Sequence, residues 1–354
     1  MIDNRLAFCY ALQSFGILTE VNEMQQQTVK RASFLRRGLG RLWDVKEIGI
    51  IVPTLVYGVI VQLINPVFFT PLNLANLLRQ TGFVLIPALG MTFVLIAAGI
   101  DLSVGSVMGL GGVVAGFCMV NFGLPIWISI LVTLVFGLLI GFVNGAFITR
   151  FNIPPMIMTL GMMYIARGAV FVATKGLPIY PIPKAFQAIE QGTFLSMPTI
   201  ISICLVLCVL FHIVLTRTTF GRSVYAIGGN SEAAKLSGIS TRRVTVRVYA
   251  ICGLMAAMAG VLMSARLGSA QPSAGEGYEM NVIAACIIGG TSTFGGRGTV
   301  LGTAIGALFM SVLSNSMTLM KVDVYYQKLV IGAVLIAAVI LDQYKREMDK
   351  KRIK

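Results

Sequence analysis

Long apolar runs, broken by short segments that are polar, basic or rich in glycine, set the pattern of this chain. Ile48 to Phe69, Val84 to Gly99 and Leu124 to Ile148 approach or exceed the roughly 20 apolar residues that carry a helix across about 30 Å of hydrocarbon. Lipid offers the backbone no hydrogen-bond partners, so spans of this kind must satisfy themselves as helices. A transmembrane barrel would instead alternate over segments of about ten residues, and no such alternation dominates. Ten spans are expected, at about 48–69, 77–98, 103–121, 124–148, 153–174, 198–216, 244–267, 280–294, 299–319 and 325–341.

Charge fixes their orientation, because short cytoplasmic loops retain Lys and Arg. Arg5, Lys30, Arg31, Arg36, Arg37, Arg41 and Lys46 precede the first span, and Lys345, Arg346, Lys350, Lys351, Arg352 and Lys354 follow the last. Arg217, Arg222, Lys235, Arg242, Arg243 and Arg247 crowd one inner loop, whereas Lys175, Lys184 and Lys321 lie on the other side. Both termini are therefore expected inside, and ten spans also put Arg150 and Arg297 there. The fold class is an all-α polytopic membrane protein: a basic cytoplasmic extension over 1–46, a transmembrane domain over 47–342 with a cytoplasmic loop at about 217–243, and a basic cytoplasmic tail over 343–354.

Composition agrees, with 56% hydrophobic against 12% charged residues. The net charge of +14 does not point to nucleic acid, since the basic residues sit between spans and are not interleaved with aromatics. Cys9, Cys118, Cys204, Cys208, Cys252 and Cys286 lack metal or redox spacing and read as small core hydrophobes. The stretch Leu6 to Leu18, interrupted by Gln13 and Ser14, is a poor cleaved signal peptide. No phosphate loop, Ser-His-Asp set or metal set can be assembled, so no catalytic or metal residue is assigned. His212, the one histidine, is expected to pack in the core.

Two segments rich in glycine and small hydroxyls break the pattern: Gly99-Ile-Asp-Leu-Ser-Val-Gly105 and Gly289-Gly-Thr-Ser-Thr-Phe-Gly-Gly-Arg-Gly298. Each leads into a helix of small residues, as a weak internal repeat would. Gly-interrupted helices often line a transporter's substrate path, although tight helix packing explains them equally. Asp101 is a functional candidate by its depth, yet an N-cap on a helix starting at Leu102 or Ser103 is the expectation. Arg167 falls mid-span and needs a carbonyl, a carboxylate or water. Ser103, Asn144, Thr159, Gln271, Asn281 and Thr291 are neutral groups that can stand in for water around a polar solute or bond helix to helix, and with Asp101 and Arg167 they are the substrate-path candidates.

In the inner loop, Ser231 is expected to cap a short helix over Glu232 to Leu236 with Gly238 as its stop. Such a helix is either a docking knob or part of an ordinary loop. On the outer side, Leu177 to Met197 and Gly268 to Glu279 are long enough to meet a partner or to serve as passive covers.

Taken in order, Gly99 to Gly105, Tyr225 to Asn230, Ala233 to Gly238, Ala265 to Pro272 with Gly277-Tyr278, and Gly289 to Gly298 resemble the ribose-type permeases of bacterial ABC sugar importers over residues 48–341. The resemblance implies a translocation path for a ribose-like monosaccharide formed with a second permease copy, in the bacterial cytoplasmic membrane. It also implies an extracytoplasmic sugar-binding protein and a cytoplasmic ATPase with two nucleotide-binding halves. ATP and Mg would be bound by that partner and no cofactor by this chain. Gly229, Asn230, Ser231, Glu232, Ala233, Ala234, Lys235, Leu236 and Gly238 would then couple to the ATPase. Three rivals stand beside this expectation. One is the same architecture carrying nucleosides or branched-chain amino acids. Another is an ion-coupled carrier, disfavoured by the few ionisable groups in spans. The third is a membrane anchor or enzyme, for which no constellation speaks.

Overall fold

The computed structural model describes residues 48–194 and 197–353, and the N-terminal extension lies outside them. The chain order is α1 (Ile48–Ile64), α2 (Pro71–Ile96), α3 (Val104–Gly116), α4 (Ile126–Phe151), α5 (Pro155–Thr174), α6 (Lys184–Gln191), a small hairpin of β1 (Thr193–Phe194) and β2 (Met197–Pro198), α7 (Thr199–Arg217), α8 (Thr219–Gly229), α9 (Ser231–Leu236), α10 (Thr241–Leu267), α11 (Tyr278–Ile288), α12 (Val300–Leu319) and α13 (Val324–Ile353). A five-residue π-helix, Phe117–Asn121, extends α3.

Eight helices among the described residues are long and apolar enough to cross a membrane, and α1 and α11 are shorter apolar helices. Hydropathy therefore finds the ten apolar elements but misjudges two. The first ends at Ile64, where a turn over residues 65–70 closes on Asn65. The eighth, expected over 280–294, stops at Ile288; its 11 residues span only about 16 Å, half the hydrocarbon. The reason is Gly289 and Gly290: Gly290 takes a φ of 86°, which ends the helix, and the remaining residues to Gly298 form a tight loop.

α2, α3, α10 and α12 are largely buried, while α4, α5, α7 and α13 turn broad apolar faces outward. Leu131, Leu139, Val172, Val206 and Leu329 are among the exposed residues there, as expected of helices that meet lipid. His212 is exposed on α7, which corrects its expected place in the core: one turn of α7 puts Phe211 inward and its neighbour outward. Cys118, Cys204, Cys252 and Cys286 are buried as expected.

Backbones approach closely where α4 crosses α10. Gly137, Gly141 and Gly145 repeat every four residues on one face of α4 and meet Gly253, Tyr249 and Val246 of α10. A Cβ on Gly141 would overlap the Tyr249 carbonyl. Without a hydrophobic drive between helices in lipid, such contact supplies the packing energy. Gly141→Val is expected to destabilise the protein by about 1–3 kcal/mol, seen as a lower melting temperature in detergent; an unchanged melting curve would contradict this packing.

Buried polar pairs add specificity. Asn73 and Asn315 exchange reciprocal amide bonds of 3.0 Å between α2 and α12. The Thr92 and Thr303 hydroxyls pair at 2.6 Å between the same helices, and Tyr57 reaches Ser316 at 2.6 Å from α1.

Candidate functional site

The inner loop contains two helices where the sequence suggested one. α8 is capped by Thr218, whose hydroxyl accepts from the Gly221 amide, and leads directly into α9. The cap of α9 is Asn230 and not Ser231: the Asn230 side chain accepts from the Ala233 amide at 3.0 Å, and Ser231 is the first helical residue. Asparagine is as good a cap as serine, and its extended φ and ψ make the corner between α8 and α9. The stop is as expected. Gly238 takes a φ of 81°, its amide bonds the Lys235 carbonyl and the Ile239 amide bonds the Ala234 carbonyl, the pattern of a Schellman cap. Ala234 is buried beneath α9, whereas Glu232, Ala233 and Lys235 are exposed and Leu236 is 88% exposed. The result is a capped knob with an apolar tip, flanked in the chain by Arg222, Arg242 and Arg243.

α8 reaches the bundle through glycine. A Cβ on Gly228 would overlap the Ile96 carbonyl at the end of α2 and stand 2.6 Å from the Gly296 amide nitrogen. Gly296 donates to that same Ile96 carbonyl at 2.9 Å, and the Tyr225 hydroxyl donates to the Gly298 carbonyl at 2.7 Å. The second glycine-rich segment singled out in the sequence thus meets α8 and the end of α2, a few residues before the first segment begins.

Just beyond Ile96 the chain breaks before α3. Asp101 is fully buried here, but it is not the N-cap. α3 begins at Val104 after Ser103, and Asp101 instead accepts from the Ser103 amide at 2.9 Å and from its hydroxyl. The helix starts later than expected because Asp101 closes this local turn, a habit of Asp that competes with helix. Asn144 of α4 donates to Ser103 at 3.1 Å. Thr159 of α5 and Tyr249 of α10 both donate to the Ile100 carbonyl, at 3.2 and 3.4 Å. Asp101, Ser103, Asn144 and Thr159, dispersed in sequence, therefore form one buried polar knot around the break. Tyr249 was missed: a tyrosine in an apolar run carries no signal until its hydroxyl has a partner.

Arg167 finds carbonyl partners, as its depth required. Its Nη1 donates to Pro272 and Ala274 at 2.9 Å each, and Nη2 to Gly105 at 3.4 Å. The segment from Gly268 to Gly277 is thereby drawn inward along α3, and its Gly275 carbonyl abuts Gly105. Two interrupted helices, α3 and α11, begin against one another at this point. Gln271 lies in the same segment and bonds Ser269 at 3.0 Å. Asn281 on α11 and Thr291 in the loop after it stand apart from the knot; the Asn281 Oδ1, Thr291 Oγ1 and Asn144 Oδ1 atoms are buried without hydrogen-bond partners among the described residues.

The outer segments cover the bundle together. Ile179 and Ala270 exchange backbone bonds of 3.0 Å, and Gln191 of α6 donates to the Arg266 carbonyl. Glu190, unsuspected from sequence, is 1% exposed and lies 3.7 Å from Arg79 Nε. Burial pushes its carboxyl above the ordinary range, and the Arg266 and Arg79 guanidiniums pull it partly back. A carboxyl whose folded pKa is raised binds its proton more tightly in the folded state, so stability declines as pH climbs from about 4.5 through that folded value. Glu190→Gln is expected to remove this slope in melting curves recorded against pH; an undiminished slope would contradict the assignment.

Among the described residues no group of three His, Cys, Asp or Glu side chains is placed to hold a metal ion. The site offers an exposed capped helix, backbone breaks and neutral hydrogen bonds.

Known proteins resemble this chain over most of its length. The family model described as branched-chain amino acid transport system, permease component, matches residues 73–339. The ribose import permease of Haemophilus influenzae is 42% identical over 289 residues, covering 80% of this chain and 89% of the relative. That of Bacillus subtilis is 41% identical over 304 residues, covering 85% and 94%. The xylose transport system permease of Escherichia coli K12 is 38% identical over 331 residues, covering 76% and 84%. No solved structure matches the chain. With a bundle of apolar helices, a break at each glycine segment and a family match over most of its length, this chain belongs to the permease components of the branched-chain amino acid transport system family.

Proposed function

We propose that this chain is the membrane-spanning subunit of an ATP-binding cassette importer and carries a simple sugar of the pentose type across the cytoplasmic membrane. The likeness of about 40% to ribose and xylose permeases along most of the chain is the observation that carries this reading. The Asn230–Gly238 knob supports an ATPase docked from the cytoplasm, and that partner binds ATP and Mg. The outer cover formed by α6 and the Gly268–Gly277 segment supports delivery by an extracytoplasmic binding protein. A second permease copy completes the path. Closure of the ATPase halves moves the knobs and rocks the bundles between outward and inward access, with nucleotide supplying the bias. Weak bonds from Asn281, Thr291 and Asn144 let the sugar pass without being retained.

The test is copurification of the detergent-solubilised chain with the products of adjacent genes, followed by ATPase assay with candidate solutes and the binding protein. Hydrolysis stimulated by a pentose in a copurifying complex supports the proposal. Stimulation by branched-chain amino acids or nucleosides would move the substrate class, as the family's description leaves open. Transport by the purified chain alone on an ion gradient would overturn the importer reading.

A further inference from the structure

Asp342 sits where the apolar run of α13 ends, and nothing in the sequence marks it. Its Oδ2 accepts from the Ser292 hydroxyl, the Thr293 amide and the Thr293 hydroxyl, each at 3.1 Å. These groups form the base of the glycine loop, which is closed on itself by the Ser292 amide to the Arg297 carbonyl at 3.0 Å, the Phe294 amide to the Ser292 hydroxyl at 3.3 Å and the Gly295 amide to the Ser292 carbonyl at 3.2 Å. The far side of that loop is the surface on which α8 and the end of α2 rest. A Cβ on Gly295 would stand 2.7 Å from both the Ala98 Cβ and the Gly228 carbonyl, and one on Gly298 would stand 2.8 Å from the Ile96 side chain.

From these contacts we infer that Asp342 is a positioning residue for coupling: by clamping the Ser292–Gly298 loop it turns the loop into a fixed fulcrum that passes displacement of the Asn230–Gly238 knob to the α2–α3 break. The inference rests on the docking of an ATPase at the knob, proposed above. With the loop clamped on α13 at its base and in backbone contact with Gly228 and Ile96 at its tip, a shift of α8 at Gly228 presses directly on the loop and on the end of α2. Packed interiors transmit displacement where they lack voids. The shift arrives at Ile96, one turn before Asp101 and the Ile100 carbonyl, where α5 and α10 are fastened. Without the clamp the loop yields, and ATP-driven motion of the knob is lost within it.

The experiment uses the complex of permease, ATPase and binding protein in proteoliposomes and reads solute moved per ATP hydrolysed. Asp342→Ala is expected to keep the ATPase bound and hydrolysis within about twofold of the parent, while solute per ATP falls about tenfold, a coupling change of ordinary size. Asp342→Asn, which retains an acceptor, is expected to recover part of that ratio. The pair Ser292→Ala and Thr293→Val removes two of the bonds from the other side and should lower the ratio likewise, which keeps the test open should Asp342→Ala fail to insert. A structural role alone would reduce the yield of complex and leave the ratio intact. An unchanged ratio in Asp342→Ala, or in the double variant, overturns the fulcrum. Retention of the ATPase by Leu236→Asp would overturn the docking reading and this inference with it, whereas loss of the ATPase there beside normal coupling in Asp342→Ala overturns the fulcrum alone.

Discussion

Replacing Leu236 with aspartate is expected to weaken attachment of the ATPase by about 30-fold or more, because buried apolar anchors at an interface contribute about 2 kcal/mol or more each. Leu236 is 88% exposed on a helix of six residues, and in the docking proposed above it is the large apolar side chain that fills a pocket of the ATPase. Asn230 at one end and Gly238 at the other hold α9 rigid, so little ordering entropy is lost on docking. Because Leu236 touches no core residue strongly enough to be buried, the variant should insert and melt like the parent. Copurification measured against a range of detergent-solubilised ATPase concentrations reads the effect. Unchanged association would mean that the knob is an ordinary loop. Ala234 gives the complementary case: it is 4% exposed, so a bulky residue there should lift α9 from its seat and uncouple hydrolysis from uptake, an outcome read in the same assay.

The second large effect is expected at Arg167. Its guanidinium joins α5 to the first turn of α3 and to the Gly268–Gly277 segment through three carbonyls. Hydrogen bonds from a charged donor contribute about 1.5–3 kcal/mol each, and a carbonyl left unpaired where water is scarce adds to the loss. Arg167→Ala is therefore expected to destabilise the solubilised protein by about 3 kcal/mol or more and to abolish uptake. Arg167→Lys should fall between the two, since one ammonium cannot cover the fork that a guanidinium spans. Glycine also has a part here, for a Cβ on Gly109 would stand only 3.0 Å from Arg167 Nη1. If the Arg167→Ala protein melts with the parent, the three carbonyls are served by water, and the junction is a wet channel wall and not a structural tie.

Both predictions begin from features visible in the chain and completed by the fold. Arg167 is conspicuous as a cation within an apolar run, so its need for partners can be stated in advance. Which partners it takes cannot, because Pro272 and Ala274 lie more than a hundred residues away and accept through backbone carbonyls, which composition does not reveal. The knob shows the same division. A small helix ended by Gly238 follows from local rules, yet the cap passes from Ser231 to Asn230 because the backbone turns at Asn230 on leaving α8, and α8 itself escaped notice. Asp101 looked like a cap and became instead the centre of a turn that collects Ser103, while Asn144 and Thr159 arrive from other helices.

Hydropathy acts over windows of neighbouring residues, which is why the sequence alone determined the number of apolar elements and the position of both glycine breaks, while charge sets the orientation expected of them. Those quantities depend on transfer into lipid and on the reluctance of Lys and Arg to cross it. The tertiary structure alone decided that α11 covers only half a bilayer, that His212 faces outward, that Glu190 is buried beside Arg79, and that Asp342 holds the loop beneath the knob. Each of these depends on which distant segment lies alongside, and in a bundle where every helix is apolar that choice rests on close contact between glycines and on a few buried hydrogen bonds.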